Sequence, residues 1–317
     1  MMKMKYLAED FDLARQALAH WEHDEATLSQ RLPWFRISAS AVYPFDDEQG
    51  QLCFLRLQPE AEKSAAELLA ELDFLRHLHA GGYPCMHPIP SRRNLPLEPL
   101  FHRGKLWHAS AFLGVPGQPL EDLPMNSMLA WAYGAALGQL HAASMQYRPL
   151  PCCRTRSSVT RWIRETLQAQ PASPDLLAQL EEVDRLLTEK PRSQANYGLV
   201  HYDFEPDNVF WDGKACHVID FGDAMLHFYA VDLVQALDEM EEEYHASFLG
   251  GYRDACPTSE ADPADFPLMR RFRDLYSYAR LLHCLSEIPQ EQPEWMTGLI
   301  GKLRTRRDEL AESILRN

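Results

Sequence analysis

The chain has 317 residues, 46% of them hydrophobic and 24% charged, with a formal net charge of −15. That length predicts two lobes or domains, the composition excludes a disordered chain, and the acidic balance excludes a nucleic-acid backbone as main partner, because such binding draws on clustered Lys and Arg. No stretch approaches the ~18 apolar residues of a membrane span, so no membrane partner is expected. The opening MMKMKYLAEDFDLARQ has no apolar core of the kind a secretory leader needs. Seven cysteines (Cys53, Cys85, Cys152, Cys153, Cys216, Cys256 and Cys284) show no C-x-x-C spacing. They argue against structural zinc and a disulfide framework, and for a reducing cytoplasm.

Residues 6–24 place Phe11, Ala14, Leu18 and Trp21 on one helical face. After Pro33 two strands are expected, 35–43 and 51–57, joined by a turn over 44–50. A helix is expected over 61–79, with Ala65, Leu68, Leu69, Leu72 and Leu75 as its apolar stripe and Gly81-Gly82 at its end. Short strands follow near 97–101 and 105–113, the first an edge strand because of Pro99. Gly114, Pro116, Gly117 and Pro119 then break the chain, and the lobe boundary is drawn there. Residues 1–113 form a small lobe on an antiparallel sheet, and 114–317 a larger, mostly helical one. Its helices are expected over 128–147, 158–168, 174–189, 230–248, 268–285 and 291–315. A cleft between lobes is the default place for a site.

One stretch interrupts the helical series: residues 199–224, LVHYDFEPDNVFWDGKACHVIDFGDA. Here 209–211 reads as a strand, Asp212-Gly213 as a hairpin turn, since both residues tolerate positive φ, and 215–219 as the return strand. The outer ends of this hairpin carry His201, Asp203 and Asn208 on one side and Asp220 and Asp223 on the other. Converging carboxylates repel unless a cation lies among them, so a divalent metal with a separate carboxylate beside it is the first reading. An acidic hairpin end that merely caps helices or binds solvent is the bland one. His201-x-Asp203, then Asn208, then Asp220-Phe221-Gly222 matches a phosphoryl-transfer template. In that template one Asp accepts a hydroxyl proton, while an Asn five residues later and a second Asp hold Mg²⁺. Asn and Asp offer the hard oxygens Mg²⁺ takes. Either part alone arises by chance; their order, short separation and intervening hairpin make the pair specific.

These residues resemble the aminoglycoside phosphotransferase/choline kinase-like family, small-molecule relatives of the protein kinases. Residues 198–209 resemble its catalytic loop and 219–224 its metal motif. Gly138-Gln139-Leu140-His141, Val231-Asp232-Leu233 and Phe248-Leu249-Gly250-Gly251-Tyr252 resemble the segments around them. The resemblance implies an α+β, bilobal, protein-kinase-like fold. It implies ATP (or GTP) as phosphate donor, Mg²⁺ as cofactor, and as acceptor a hydroxyl of a small molecule: an amino sugar, a choline-like alcohol, homoserine or a sugar derivative. It makes Asp203 the base, Asn208 and Asp220 metal ligands, and His201 a catalytic-loop residue that works by hydrogen bonding more than by proton transfer. Asp223 assists the metal or the acceptor, with a turn cap as the alternative, and Asp232 holds the loop. For the nucleotide it implies Arg56, where a strand Lys is more usual, paired with Glu71 in preference to Glu67, and Phe112 and Leu113 at the adenine hinge. Tyr202 and Glu205 depart from the residues common at their positions. No glycine-rich loop joins the first two strands, where Asp46-Asp47-Glu48 stands. An atypical protein kinase and a non-catalytic nucleotide-binding protein are the alternatives. The acidic run 238–243 reads as a solvated helix face, with amine binding as its alternative.

Overall fold

The computed structural model describes residues 2–6, 10–37, 40–170, 174–290 and 294–316. Antiparallel sheet and helix alternate in it, as the α+β class requires, and the chain divides into two compact units. One comprises 1–9, 154–192 and 262–317; the other comprises 10–153 and 193–261. Gly114 lies inside the second unit, which therefore holds both the N-terminal sheet and the 199–224 hairpin.

That unit opens with α1 (Phe11–Leu18), capped by the Asp10 carboxylate on the Leu13 N–H at 3.0 Å. The helix expected over 6–24 is thus only eight residues long, and 7–9 fall outside the described residues. The chain leaves the helix before Trp21, whose buried indole donates to the Ile89 carbonyl at 3.0 Å. After α2 (Leu28–Arg31) come β1 (Arg36–Ile37), β2 (Ala41–Asp46), β3 (Leu52–Pro59), α3 (Ala65–Ala80), β4 (His87–Ile89), β5 (Glu98–His102) and β6 (Lys105–Leu113). Their six-stranded sheet has the order β1-β2-β3-β6-β4, and β5 pairs with β6 alone, so Pro99 does sit on an edge strand.

The stretch 35–43 is two short strands rather than one, with 38–39 between them outside the described residues. The acidic turn therefore joins the second and third strands, not the first two. Two of its carboxylates, those of Asp46 and Asp47, are engaged. Asp46 accepts from Arg31 at 2.7 Å, and Asp47 Oδ1 accepts the Gln49 and Gln51 N–H groups at 2.9 and 2.8 Å. Helix α3 starts at Ala65 rather than 61 because Ser64 and Glu67 form a reciprocal capping box. Glu67 is spent on that cap, which leaves Glu71, one turn on, as the buried acid.

Beyond β6 the linker is fastened at two points. The Gly114 N–H donates to Leu52 O at 2.8 Å. Gly117, at φ +99, runs so close to the hairpin that a Cβ would lie 2.4 Å from Trp211 O. β7 (Gln118–Pro119) then joins the hairpin as a third strand. α4 (Ser127–Gln146) follows, with α5 (Arg156–Ala169) and α6 (Pro174–Glu189) belonging to the other unit. β8 (Tyr197–Val200) pairs antiparallel with β11 (Met225–Phe228), and between them lies the hairpin of β9 (Val209–Trp211) and β10 (Cys216–Val218). Trp211 pairs with Cys216, so the turn spans four residues instead of two. Only Gly213 takes positive φ there, and the Asp212 carboxylate organises the rest by accepting the Lys214 and Ala215 N–H groups, each at 2.8 Å.

The single helix expected over 230–248 is broken into α7 (Ala230–Asp238) and α8 (His245–Ala255). Carboxylates at 238–243 oppose the dipole at the C-terminal end of α7 and favour it ahead of α8, so the run is best placed between helices. Its acidic side chains are exposed. α8 packs on α4 at backbone contact: a Cβ on Gly134 would meet Phe248 O at 1.9 Å. α9 (Phe266–Leu285) and α10 (Glu294–Arg316) complete the other unit, around Leu176, Leu180, Val183, Leu187 and Phe272. The start of α10 expected at 291–293 lies outside the described residues.

Candidate active site

The catalytic loop leaves β8 at His201 and is gripped at once. Asp232, in the first turn of α7 and fully buried, accepts the N–H groups of His201 and Tyr202, each at 2.8 Å. It also pairs with His141 Nε2 at 3.1 Å. His141 Nδ1 meets the Tyr252 hydroxyl at 2.9 Å, and that hydroxyl meets Ser259 at 2.7 Å. The grip holds a strained backbone: Tyr202 sits at φ +65, a left-handed conformation that costs a side-chain-bearing residue roughly 1–2 kcal/mol. Both ring nitrogens of His201 are engaged. Nε2 donates to Ile219 O at 2.9 Å and Nδ1 accepts the Asp203 N–H at 3.2 Å, which fixes the tautomer and ties the loop to the return strand.

Asp203 is half-buried. The Asn208 Nδ2 donates to both its carbonyl and its carboxylate, at 3.0 and 3.1 Å, leaving the amide oxygen of Asn208 as the group able to meet a cation. The Ile219 N–H donates to Asn208 O at 2.9 Å, so the loop and the metal motif share one hydrogen-bonded edge. Asp220 is also left-handed, at φ +58; its Oδ1 accepts the Gly222 N–H at 3.2 Å and its own N–H points to the Met86 sulfur at 3.3 Å. Asp223 lies half-buried in the same short 3₁₀ turn. Among the described residues no three His, Cys, Asp or Glu side chains already close around a cation. Asp220, Asn208 and Asp223 are a sparse hard-oxygen set, which fits Mg²⁺, an ion that keeps several waters and takes phosphate oxygens.

On the sheet side, alternation along β3 puts Phe54 and Arg56 on one face, opposite Phe112 and Ser110 of β6. The Arg56 guanidinium lies 4.8 Å from the Phe112 ring centroid, and Nη1 donates to Glu71 Oε1 at 2.5 Å. Glu71 Oε2 accepts from Lys63 Nζ at 2.7 Å, and Lys63 Nζ donates again to Gly222 O at 2.8 Å. Burial pushes the Glu71 carboxyl up, but Arg56 and then Lys63 outweigh it and hold it down at about 2. Arg56 is 5%, Glu71 6% and Lys63 9% exposed, so two cations and one anion are buried together with a positive charge to spare. The second terminal nitrogen of Arg56, Nη2, is buried without a partner.

The two hinge residues are separated. Phe112 shares the Arg56 face, whereas Leu113 pairs with Cys53 and His87 on the other face and lines a cavity of about 400 Å³ with Trp21, Phe45 and Arg92. Lys63 and Met86 carried no sequence signal. Acidic groups also gather below the catalytic loop. Gln235 Nε2 donates to Glu205 Oε1 at 2.9 Å, while partial burial and the Glu205, Glu121 and Asp220 carboxylates push the Asp207 carboxyl up.

A family model described as "Phosphotransferase enzyme family" matches residues 35–264. The amicoumacin kinase of Bacillus subtilis (strain 168) is 25% identical over 310 residues, 87% of this chain and 90% of its own. The homoserine kinase of Rhodospirillum rubrum is 32% identical over 214 residues, 63% of this chain and 64% of its own. Among solved structures, an amicoumacin kinase in complex with AMP-PNP, Ca²⁺ and Ami superposes with a TM-score of 0.76 at 20% identity, over 98% of this chain and 95% of that one. A microcompartment-associated aminopropanol kinase gives 0.72 at 21%, over 96% and 95%. The shared fold is the protein-kinase-like one that the two motifs imply.

Proposed function

Since the chain belongs to the phosphotransferase enzyme family, we propose that it moves the γ-phosphate of ATP to a hydroxyl of a small amino alcohol, with Mg²⁺ as its divalent ion. The observation that carries this reading is the buried surplus of positive charge. Arg56 has an unpartnered guanidinium nitrogen in a cluster that Lys63 ties to the turn of Asp220. A buried uncompensated cation is costly, and an anion such as a phosphate group removes the cost. The forked guanidinium takes phosphate oxygens two at a time, so Arg56 fills the place of the strand lysine with altered geometry.

In this reading residues 1–113 serve the nucleotide, with Phe112, on the Arg56 face, at its base-binding edge and Glu71 orienting Arg56, while Leu113 faces away from it. Residues 114–317 serve catalysis and the acceptor. Asn208 and Asp220, with Asp223 beside them, hold Mg²⁺, which offsets charge on the phosphates. Asp203 orients the acceptor hydroxyl and takes its proton. The Asn208 amide fixes the orientation of that carboxylate, and His201 keeps the loop in place. The named relatives support a small acceptor, and homoserine and aminopropanol are both hydroxyl-bearing amines. The acids Glu205, Asp207 and Glu121 near the loop suit an ammonium group. Among the described residues no helix is long and apolar enough to cross a membrane, and we place the enzyme in the cytoplasm.

The test is incubation with ATP, Mg²⁺ and a panel of amino alcohols, choline-like alcohols, amino sugars and sugars, followed by phosphorus NMR. One of the amine-bearing acceptors is phosphorylated, and Asp203→Asn slows that transfer roughly 10³-fold with an unchanged melting curve. Wild-type protein that binds no nucleotide would sink the reading. Binding without turnover on any acceptor turns it into a nucleotide-binding protein, and transfer to protein alone into a protein kinase.

A further inference from the structure

Lys63 belongs to neither motif, yet it touches both sides of the site. It sits in the short loop between β3 and α3, where its N–H bonds back to Pro59 O at 3.2 Å and the Ser64 cap follows at once. Its backbone is therefore fixed relative to both elements. Its ammonium reaches Glu71 of α3 and the carbonyl of Gly222, two residues beyond Asp220.

We propose that Lys63 is a positioning residue that couples α3 to the Asp220 turn, holding that turn in the shape that presents the Asp220 carboxylate to the divalent ion. The proposal rests on the phosphotransferase reading above. Two features separate this role from that of a second phosphate ligand. Two of the three ammonium donors are spent on protein acceptors, and the side chain is almost wholly buried. Arg56, by contrast, keeps a donor without a partner. The two cations of the cluster thus divide the work: Arg56 faces the ligand and Lys63 faces the protein.

The turn needs an outside hold. Asp220 is left-handed, and the bond from the Gly222 N–H occupies one of the carboxylate oxygens that the ion would use. The Gly222 carbonyl is the neighbouring handle, and Lys63 takes it. Because Glu71 offers one oxygen to each cation, the position of α3 sets where Lys63 can stand, and Lys63 sets the turn.

Lys63→Met is the direct test. It leaves Glu71 paired with Arg56, so no buried carboxylate is stranded. ATP affinity is measured by calorimetry with Mg²⁺ and with EDTA, and amide hydrogen exchange over 221–224 is measured in metal-free protein. The gain in affinity that Mg²⁺ confers falls about tenfold and exchange over 221–224 quickens by a similar factor, as expected for a lost charge-assisted hydrogen bond. Affinity in EDTA falls too, because the cluster loses its spare charge, so the ratio of the two affinities is the readout, and the acceptor KM stays within about twofold. Lys63→Gln keeps a donor for Gly222 O and recovers part of both effects, and it asks the same question should the Met variant fold poorly. Equal weakening with and without Mg²⁺, or unchanged exchange over 221–224, overturns the proposal while leaving the functional reading intact. Wild-type protein that binds no ATP removes both.

Discussion

The catalytic loop and the sheet-side cluster are each centred on one buried carboxylate, and they are completed differently. Asp232 receives two backbone N–H groups and His141, and the chain of bonds runs on through Tyr252 to Ser259. Nothing there waits for a ligand. Glu71 is equally well supplied, but by two cations, one of which keeps a buried donor unmatched. The first arrangement holds a strained loop in place. The second leaves one buried donor open. The contrast separates structure that serves the fold from structure that the fold leaves open.

Three experiments can break or sharpen that contrast. The largest effect is expected at Asp232. Replacing it with Ala strands two buried N–H groups and His141, and chemical denaturation should show a loss of about 3–5 kcal/mol. A loss under about 1 kcal/mol would mean that the loop is held by something else. The next is Arg56→Met. It leaves Glu71 with Lys63, so the cluster becomes neutral, and folding stability should hold within about 1 kcal/mol while ATP affinity drops about ten- to a hundredfold. If stability collapses and affinity does not, the spare charge is structural after all.

The smallest effect concerns pH. The Glu71 carboxyl is held at about 2 in the fold, against its ordinary 4.5 when unfolded. A depressed carboxyl contributes stability that is fully present above the unfolded value and is lost as pH falls through the folded one. The stability gap between wild type and Glu71→Gln should therefore narrow as pH drops from 4.5 toward about 2, and stay flat above. A gap that is constant across that window would show that Arg56 and Lys63 do not hold the carboxyl down.

The candidate catalytic loop was legible because its chemistry is contiguous: His201, Asp203, Asn208 and Asp220 flank one hairpin. The Ser64-x-x-Glu67 cap is equally local, and it rather than the apolar spacing sets the start of α3. Lys63 could not be found that way, since 159 positions separate it from Gly222 and no period links a loop lysine to a distant carbonyl. The strands β4, β8 and β11 run to only three or four residues, too short for alternation to register. The break at 238–243 was hidden because the apolar spacing continues in phase across it, and only the charge at the end of α7 betrays it.

Gly117 and β7 bear on how the chain can change length. The path from β6 to β7 is pinned at Gly114 by Leu52 and at Gln118 by its pairing with Trp211. Surface loops usually absorb an extra residue at small entropic cost, but this segment has no slack, and an insertion within it must either open the sheet or shift the hairpin register. Added residues are tolerable instead at the turn of Asp212 to Ala215, where Gly213 meets no neighbour and the connection closes on its own side chain. Variants of this protein that differ in length should carry the difference at that turn and not along the linker.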